Sequence, residues 1–222
     1  MELSHRSATF EAVHNGAIEL LRKIYNIPEN YEVLFLQGGA SLQFTMIPMN
    51  FLSEGKTASY VQTGAWSEKA FKEAKFFGTP VEAASTKENK YKNIPSQEDI
   101  KFNADDAYVH ITSNNTIFGT QWKVFPDTGD VPLVADMSSD ILSKPVDVSK
   151  FGIIYAGAQK NLGPSGVTVV IIRKDLLEKA NTNIPTMLKY TTHADNNSLY
   201  NTPPTFGIYM LGEVLKWVEA QG

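Results

Sequence analysis

Six short apolar runs set the strongest limit on how this chain can fold, because each is too short for a helix. They lie at residues 32–37, 57–62, 107–112, 132–136, 151–155 and 166–173. Runs of this length that are apolar at successive positions suit strands buried on both faces. Between several of them the periodicity changes. Phe10, Val13, Ile18, Leu21 and Ile24 recur at helical spacing over residues 8–26. Residues 41–51 read as a helix after Gly38-Gly39, and Trp66, Ala70, Phe71 and Ala74 mark another after Thr63-Gly64. Strands alternating with helices predict a three-layer α/β/α fold around a mostly parallel sheet. The last two runs are separated by about ten residues, too few for a helical crossover, so they are expected to pair antiparallel and make the sheet mixed.

Three segments break the rhythm. Residues 84–104 are polar and lysine-rich and read as a surface excursion with at most a short helix. Residues 113–130, rich in Asn, Thr and Gly, are expected to wrap past the sheet edge. Residues 181–206 carry five Asn and three Pro with little periodicity, and an irregular stretch of that length inside a compact domain is often functional.

Composition narrows the chemistry. The chain has 222 residues and no Cys, which excludes disulfides, thiolate metal sites and Cys nucleophiles. A net charge of −4 gives no basic surface for nucleic acid or an anionic membrane, and four scattered His residues show no metal-ligand spacing. No run reaches the roughly 18–20 apolar residues of a membrane span, and the first residues lack a signal-peptide core. A cytoplasmic protein is the expectation.

In open α/β sheets ligands bind at the carboxyl ends of the strands. Four features fall there: Gly38-Gly39-Ala40-Ser41, Thr63-Gly64-Ala65-Trp66, Asp136, and Lys160 within Gly157-Ala-Gln-Lys-Asn-Leu-Gly-Pro164. Each has an ordinary reading. Paired glycines usually make a tight turn, a strand-end Asp caps a helix, a lone Trp packs, and a loop Lys is solvated. Spacing alone does not name a ligand.

The lysine loop resembles that of the phosphoserine aminotransferase family, fold-type I enzymes of aminotransferase class V. Five further motifs agree in order and spacing: Leu3-Ser-His-Arg-Ser7, Phe35-Leu-Gln-Gly-Gly-Ala-Ser41, Thr63-Gly-Ala-Trp66, Val134-Ala-Asp-Met-Ser-Ser139 and Leu199-Tyr-Asn-Thr-Pro-Pro204. The resemblance implies pyridoxal 5′-phosphate as cofactor, with Lys160 as the catalytic lysine that holds its aldehyde. It implies Asp136 beside the ring nitrogen, Trp66 on the ring face and Thr116 at the 3-oxygen, with Thr112 a less favoured candidate for that last role. The phosphate would be held by Ala40, Ser41, Gln159, Asn201 and Thr202, the last two reaching over from the neighbouring subunit of a homodimer. His5 and Arg6 would line a substrate phosphate pocket, with His193 a more distant contributor. Substrates would be phosphoserine and 3-phosphohydroxypyruvate with glutamate and 2-oxoglutarate, in serine biosynthesis.

Two departures qualify this. Ser41 stands where some family members carry arginine. Family members also extend further at both ends, so residues 1–222 are expected to be the cofactor-binding large domain, without the N-terminal segment and the C-terminal small domain that usually supplies an arginine for the substrate α-carboxylate. Such a piece is expected to be weakly active or inactive. The alternatives are another class V enzyme, such as an alanine–glyoxylate-type aminotransferase or a desulfurase-like protein, or a cofactor-binding scaffold without turnover.

Overall fold

A strand buried on both faces needs apolar side chains in both of its alternating directions, and the central runs meet that demand. The computed structural model describes residues 4–221; Leu3 of the first motif lies outside that range. From the N-terminus its elements are α1 (Ala8–Ile24), β1 (Tyr31–Leu36), α2 (Gly39–Phe51), β2 (Thr57–Gln62), α3 (Ala65–Ala74) and β3 (Thr79–Ser85). There follow β4 (Val109–Thr112), β5 (Asn114–Asn115), β6 (Thr120–Gln121), β7 (Leu133–Asp136), β8 (Ile153–Gly157) and β9 (Thr168–Arg173). The chain continues through α4 (Lys174–Lys179), α5 (Tyr190–Asp195) and α6 (Thr205–Gln221).

Seven strands form one sheet in the order β1-β9-β8-β7-β4-β2-β3. The pairs β8–β7, β7–β4, β4–β2 and β2–β3 are parallel, whereas β9 is antiparallel to both β8 and β1. Only β9 is therefore reversed, and the other six strands end at the same side of the sheet. The mixed, mostly parallel sheet and the antiparallel last pair agree with the sequence reading.

Alternation divides the sheet between two cores. Val33, Phe35, Ile111, Ala135, Ile154, Ala156, Val169 and Ile171 pack with α1 and α6. Leu34, Leu36, Tyr60, Val134, Ile153, Tyr155, Val170 and Ile172 pack with α2, α3, α4 and α5. Ser7 starts α1 by accepting the Phe10 N–H at 3.3 Å, a side-chain cap on an otherwise orphaned donor.

The structure corrects three expectations. β3 has no counterpart in the sequence pattern, because Pro80 and mixed polarity hide it; Pro is tolerated since β3 is an edge strand. Residues 84 and 85 belong to that strand, and the remaining polar stretch contains two short 3₁₀ turns, Lys87–Asn89 and Gln97–Asp99. Residues 113–130 do not pass the sheet edge. They join the adjacent interior strands β4 and β7, form the β5–β6 hairpin, and bury Trp122 in the α1/α6 core.

At the opposite edge, two outward backbone groups of β1 are bonded to side chains. The Phe35 N–H donates to Ser198 Oγ at 3.0 Å, and the Tyr31 carbonyl accepts from Arg22 Nη2 at 2.6 Å.

Two neighbouring residues of β9 test burial on both faces. Ile171 and Ile172 lie in opposite cores, and each is 0% exposed. Ile171→Ala and Ile172→Ala are each expected to destabilise the chain by about 2–5 kcal/mol in urea unfolding. A near-neutral result for either would mean that its face is open to solvent.

Candidate active site

Because six strands end on one side, their following loops converge there. The turn after β1 places Gly38 and Gly39 at φ +86° and +64°, a left-handed conformation that glycine adopts without strain. Gly39 begins α2, and no side chain caps that helix. The N–H groups of Gly39, Ala40 and Ser41 have no acceptor among the described residues. An uncapped helix start with exposed Ser41 offers donors and a favourable dipole to an anion.

After β2 the chain turns sharply into α3. Buried Ser67 fixes this turn: its hydroxyl accepts from the N–H groups of Thr63 (3.0 Å) and Gly64 (3.1 Å) and donates to the Gly64 carbonyl (2.7 Å). The turn carries Trp66, whose ring packs against the α2/α3 core. Lys160 Nζ lies 5.6 Å and Lys69 Nζ 4.4 Å from the ring centroid. Cations at such distances are attracted by the π face.

Asp136 ends β7 and is 6% exposed. Its Oδ1 accepts both the Ser138 N–H (2.9 Å) and the Ser138 hydroxyl (2.6 Å), while Oδ2 has no hydrogen bond among the described residues. The Ser138 hydroxyl oxygen in turn accepts the Gly157 N–H at 3.0 Å. The carboxylate is thus oriented through Ser138 by the strand that leads into the lysine loop. Burial pushes the Asp136 carboxyl above its ordinary value; the Ser138 bonds and the Lys160 charge pull the other way, and the Asp140 charge adds to the rise.

Lys160 lies in the turn region after β8 and is exposed, as is Gln159. Asn161 anchors the loop through its Nδ2, which donates to the Ile141 carbonyl at 2.6 Å. Thr112 is the register partner of Asp136 on β4; among the described residues its buried hydroxyl has no partner, nor do the buried Oε1 of Gln62, at the end of β2, and the Nε1 of Trp66. Buried polar atoms left open in this way mark a place where a ligand or water completes the bonding. On the other side of Asp136, Tyr155 donates to or accepts from His110 Nε2 at 2.8 Å, and Tyr60 stacks on the imidazole with centroids 5.0 Å apart. Burial pushes His110 down to about 3, so this floor stays uncharged near neutral pH.

The remaining sequence candidates are dispersed. Thr116 is exposed at the tip of the β5–β6 hairpin. Asn201 is half-buried and Thr202 exposed, and within this one chain the Thr202 carbonyl accepts from Gln37 Nε2 at 3.4 Å. His5 and Arg6 occupy a turn before α1; His5 Nε2 is buried without a hydrogen-bond partner among the described residues, and Arg6 is exposed. No hydrogen bond or ion pair joins either to Lys160, Trp66 or Asp136 among the described residues. His193 is buried in α5 and holds the Met187 carbonyl through Nε2 at 2.9 Å, and burial lowers its pKa. Sequence reasoning missed Ser138, Gln62 and Lys69. The Asp136-x-Ser138 spacing is a local Asx-type signal and was the one that could have found Ser138.

The aminotransferase class-V family model matches residues 1–222. The chain belongs to that family. It is 82% identical over 222 residues to the phosphoserine aminotransferase of Lysinibacillus sphaericus (strain C3-41), covering all of this chain and 61% of that protein. The solved structure of phosphoserine aminotransferase from Bacillus circulans subsp. alkalophilus superposes with a TM-score of 0.98 at 59% identity, over 100% of this chain and 62% of that one. A pyridoxal-phosphate-bound phosphoserine aminotransferase from Trichomonas vaginalis gives a TM-score of 0.92 at 42% identity, over 100% of this chain and 66% of that one. The chain therefore spans about 61% of the length of the curated relatives it matches. No described helix is long and apolar enough to cross a membrane.

The raised Asp136 pKa carries a stability consequence. A carboxyl whose folded pKa lies above its unfolded value opposes folding once the pH is high enough to ionise it. Asp136→Asn is therefore expected to raise the urea midpoint of the cofactor-free chain near neutral pH. That advantage should shrink as the pH falls through the carboxylate range, where Asp136 is neutral in both states. An equal gap at pH 4 and pH 8 would contradict this account.

Proposed function

We propose that residues 1–222 form the pyridoxal-phosphate-binding large domain of a phosphoserine aminotransferase acting in the cytoplasm as a homodimer. The observation that carries the proposal is Asp136: a buried carboxylate with Oδ1 tied to Ser138 and Oδ2 unshared, in electrostatic reach of Lys160. Two further features fit the same group. The uncapped start of α2 suits a phosphate dianion, and the unpartnered Thr112 hydroxyl and Trp66 Nε1 supply polar atoms that await one. When bound, the cofactor supplies an electron sink that makes the amino donor's Cα–H acidic.

The residues divide the work. Asp136 keeps the ring nitrogen protonated, which a buried anion does well because no water screens it. Trp66 fixes the ring plane by stacking, and Thr116 donates to the ring 3-oxygen. Ala40 and Ser41 hold the phosphate through backbone amides and the Ser41 hydroxyl, aided by Gln159 and by Asn201 and Thr202 contributed from the neighbouring subunit. Lys160 Nζ would hold the cofactor's aldehyde, and its amine would serve to move the amino donor's Cα proton. His5 and Arg6 select a substrate with a phosphate, since guanidinium forks match its oxygens; His193 contributes from further away. The high identity to phosphoserine aminotransferases supports this substrate choice over the other class V chemistries.

Incubation with pyridoxal phosphate is expected to give a visible absorption band that Lys160→Ala abolishes, and phosphoserine should perturb that band more than serine, alanine or cysteine. A parent chain that takes up no cofactor, or a band indifferent to phosphoserine, would sink the reading. Arg6→Ala should weaken phosphoserine binding by about 10–100-fold while leaving serine binding unchanged, the loss expected for a charge-assisted hydrogen bond. Equilibrium titration of both amino acids checks it.

A further inference from the structure

The two groups assigned to the cofactor ring, Trp66 and Thr116, lie on separate elements: the start of α3 and the tip of the β5–β6 hairpin. Something must set the distance between them. Asn115, which precedes Thr116, is 1% exposed and bonds in both directions. Its Oδ1 accepts from Thr63 Oγ1 at 3.1 Å, and its Nδ2 donates to Thr120 Oγ1 at 3.2 Å and to the Thr120 carbonyl at 3.5 Å. Its own carbonyl accepts the N–H groups of Gly119 (2.8 Å) and Phe118 (3.2 Å), closing the hairpin tip. A Cβ at Gly64 would stand 2.9 Å from Asn115 Oδ1 and 3.2 Å from the Phe118 ring, so the hairpin is seated against a residue that has no side chain.

The other flank of the hairpin is tied elsewhere. Asn114 and Ser139 exchange hydrogen bonds at 3.0 and 3.1 Å, Ser113 Oγ donates to the Asp136 carbonyl at 2.8 Å, and Gln121 Nε2 donates to Asp140 Oδ2 at 2.9 Å. Those contacts fix the hairpin to the Asp136 loop and leave its distance from α3 undetermined. Among the described residues, the Thr63–Asn115 bond is the only hydrogen bond between residues 113–121 and the 63–74 segment. Phe118 adds an apolar tie by packing on Tyr91, with centroids 4.8 Å apart, and the Tyr91 hydroxyl donates to Glu68 of α3 at 2.5 Å.

We propose that Asn115 is a positioning residue that locks the Thr116 hydroxyl to the Trp66 ring, so that the hydroxyl donor and the stacking face meet the cofactor as one unit. The inference rests on the ring roles proposed above for Trp66 and Thr116. The amide is suited to the task because it is the one side-chain type of this size that accepts on one side and donates on the other without charge. Both partners are buried, so loss of either leaves a polar group stranded, and the whole tie is more costly to break than an exposed bond.

Two variants cut the same bond from opposite ends: Asn115→Ala, and Thr63→Val, which keeps the shape of residue 63. In the cofactor-free chain, both should speed amide hydrogen exchange in residues 64–67 and 114–121 together, while the central strands stay protected. In the cofactor-treated chain, both should raise the pyridoxal phosphate dissociation constant about tenfold. The visible band should persist, since Lys160 is intact, and the pH at which it changes form should move because the 3-oxygen has lost its fixed donor. The double variant should be no weaker than the worse single one. Unchanged exchange, additive losses, or an unchanged dissociation constant with a Lys160-dependent band would each overturn the positioning role. A parent chain without any Lys160-dependent band would overturn it as well, by removing the ring roles on which it rests, and that outcome is distinguishable because it appears before any variant is made.

Discussion

A carboxylate held out of water, Asp136, is the feature around which much of the candidate site is arranged. Moving such a group from water into protein costs several kcal/mol unless hydrogen bonds and a counter-charge offset it. Asp136 receives two hydrogen bonds, both from Ser138 and both on one oxygen. The second oxygen has no such compensation, and the nearby charge of Asp140 makes matters worse. The rest of the fold carries the cost of this arrangement, and a positive charge nearby lowers it. Lys160 supplies such a charge across the gap.

The sheet explains why these groups meet. With β9 alone reversed, the loops after β1, β2, β4, β7 and β8 all open on one side. Asp136 and Thr112 are direct register partners, so their spacing is set by strand separation, not by side-chain flexibility. The neighbouring position on β8 is Tyr155, whose partner His110 remains neutral, and so the floor adds rigidity without adding a competing charge.

Much of this was legible in the residues. The bounds of β2 were read to the residue, and the antiparallel β8–β9 pair followed from a connection too short for a helix. Lys160, Asp136 and Trp66 were placed at strand ends, and the structure brings them into one neighbourhood. Other features were not legible, for physical reasons. β3 is a half-exposed edge strand containing Pro80, so neither hydrophobic periodicity nor propensity marks it. The hairpin carrying Thr116 is held by polar side-chain bonds between residues far apart in sequence, and a one-dimensional pattern contains no trace of those pairings. The orphaned hydroxyl of Thr112 is likewise a property of three-dimensional surroundings: its sequence position is that of any strand threonine.

The finished edge at β1 has a consequence for assembly. An exposed outer strand offers its row of amides and carbonyls to any passing chain, inviting strand addition and aggregation. Here Ser198 and Arg22 occupy outward groups of Phe35 and Tyr31 with side-chain atoms. Both plugs come from segments outside the sheet, so part of the edge is blocked by residues that already belong to the fold. Joining the sheets of two copies along the full length of that edge would first require tearing those two bonds out.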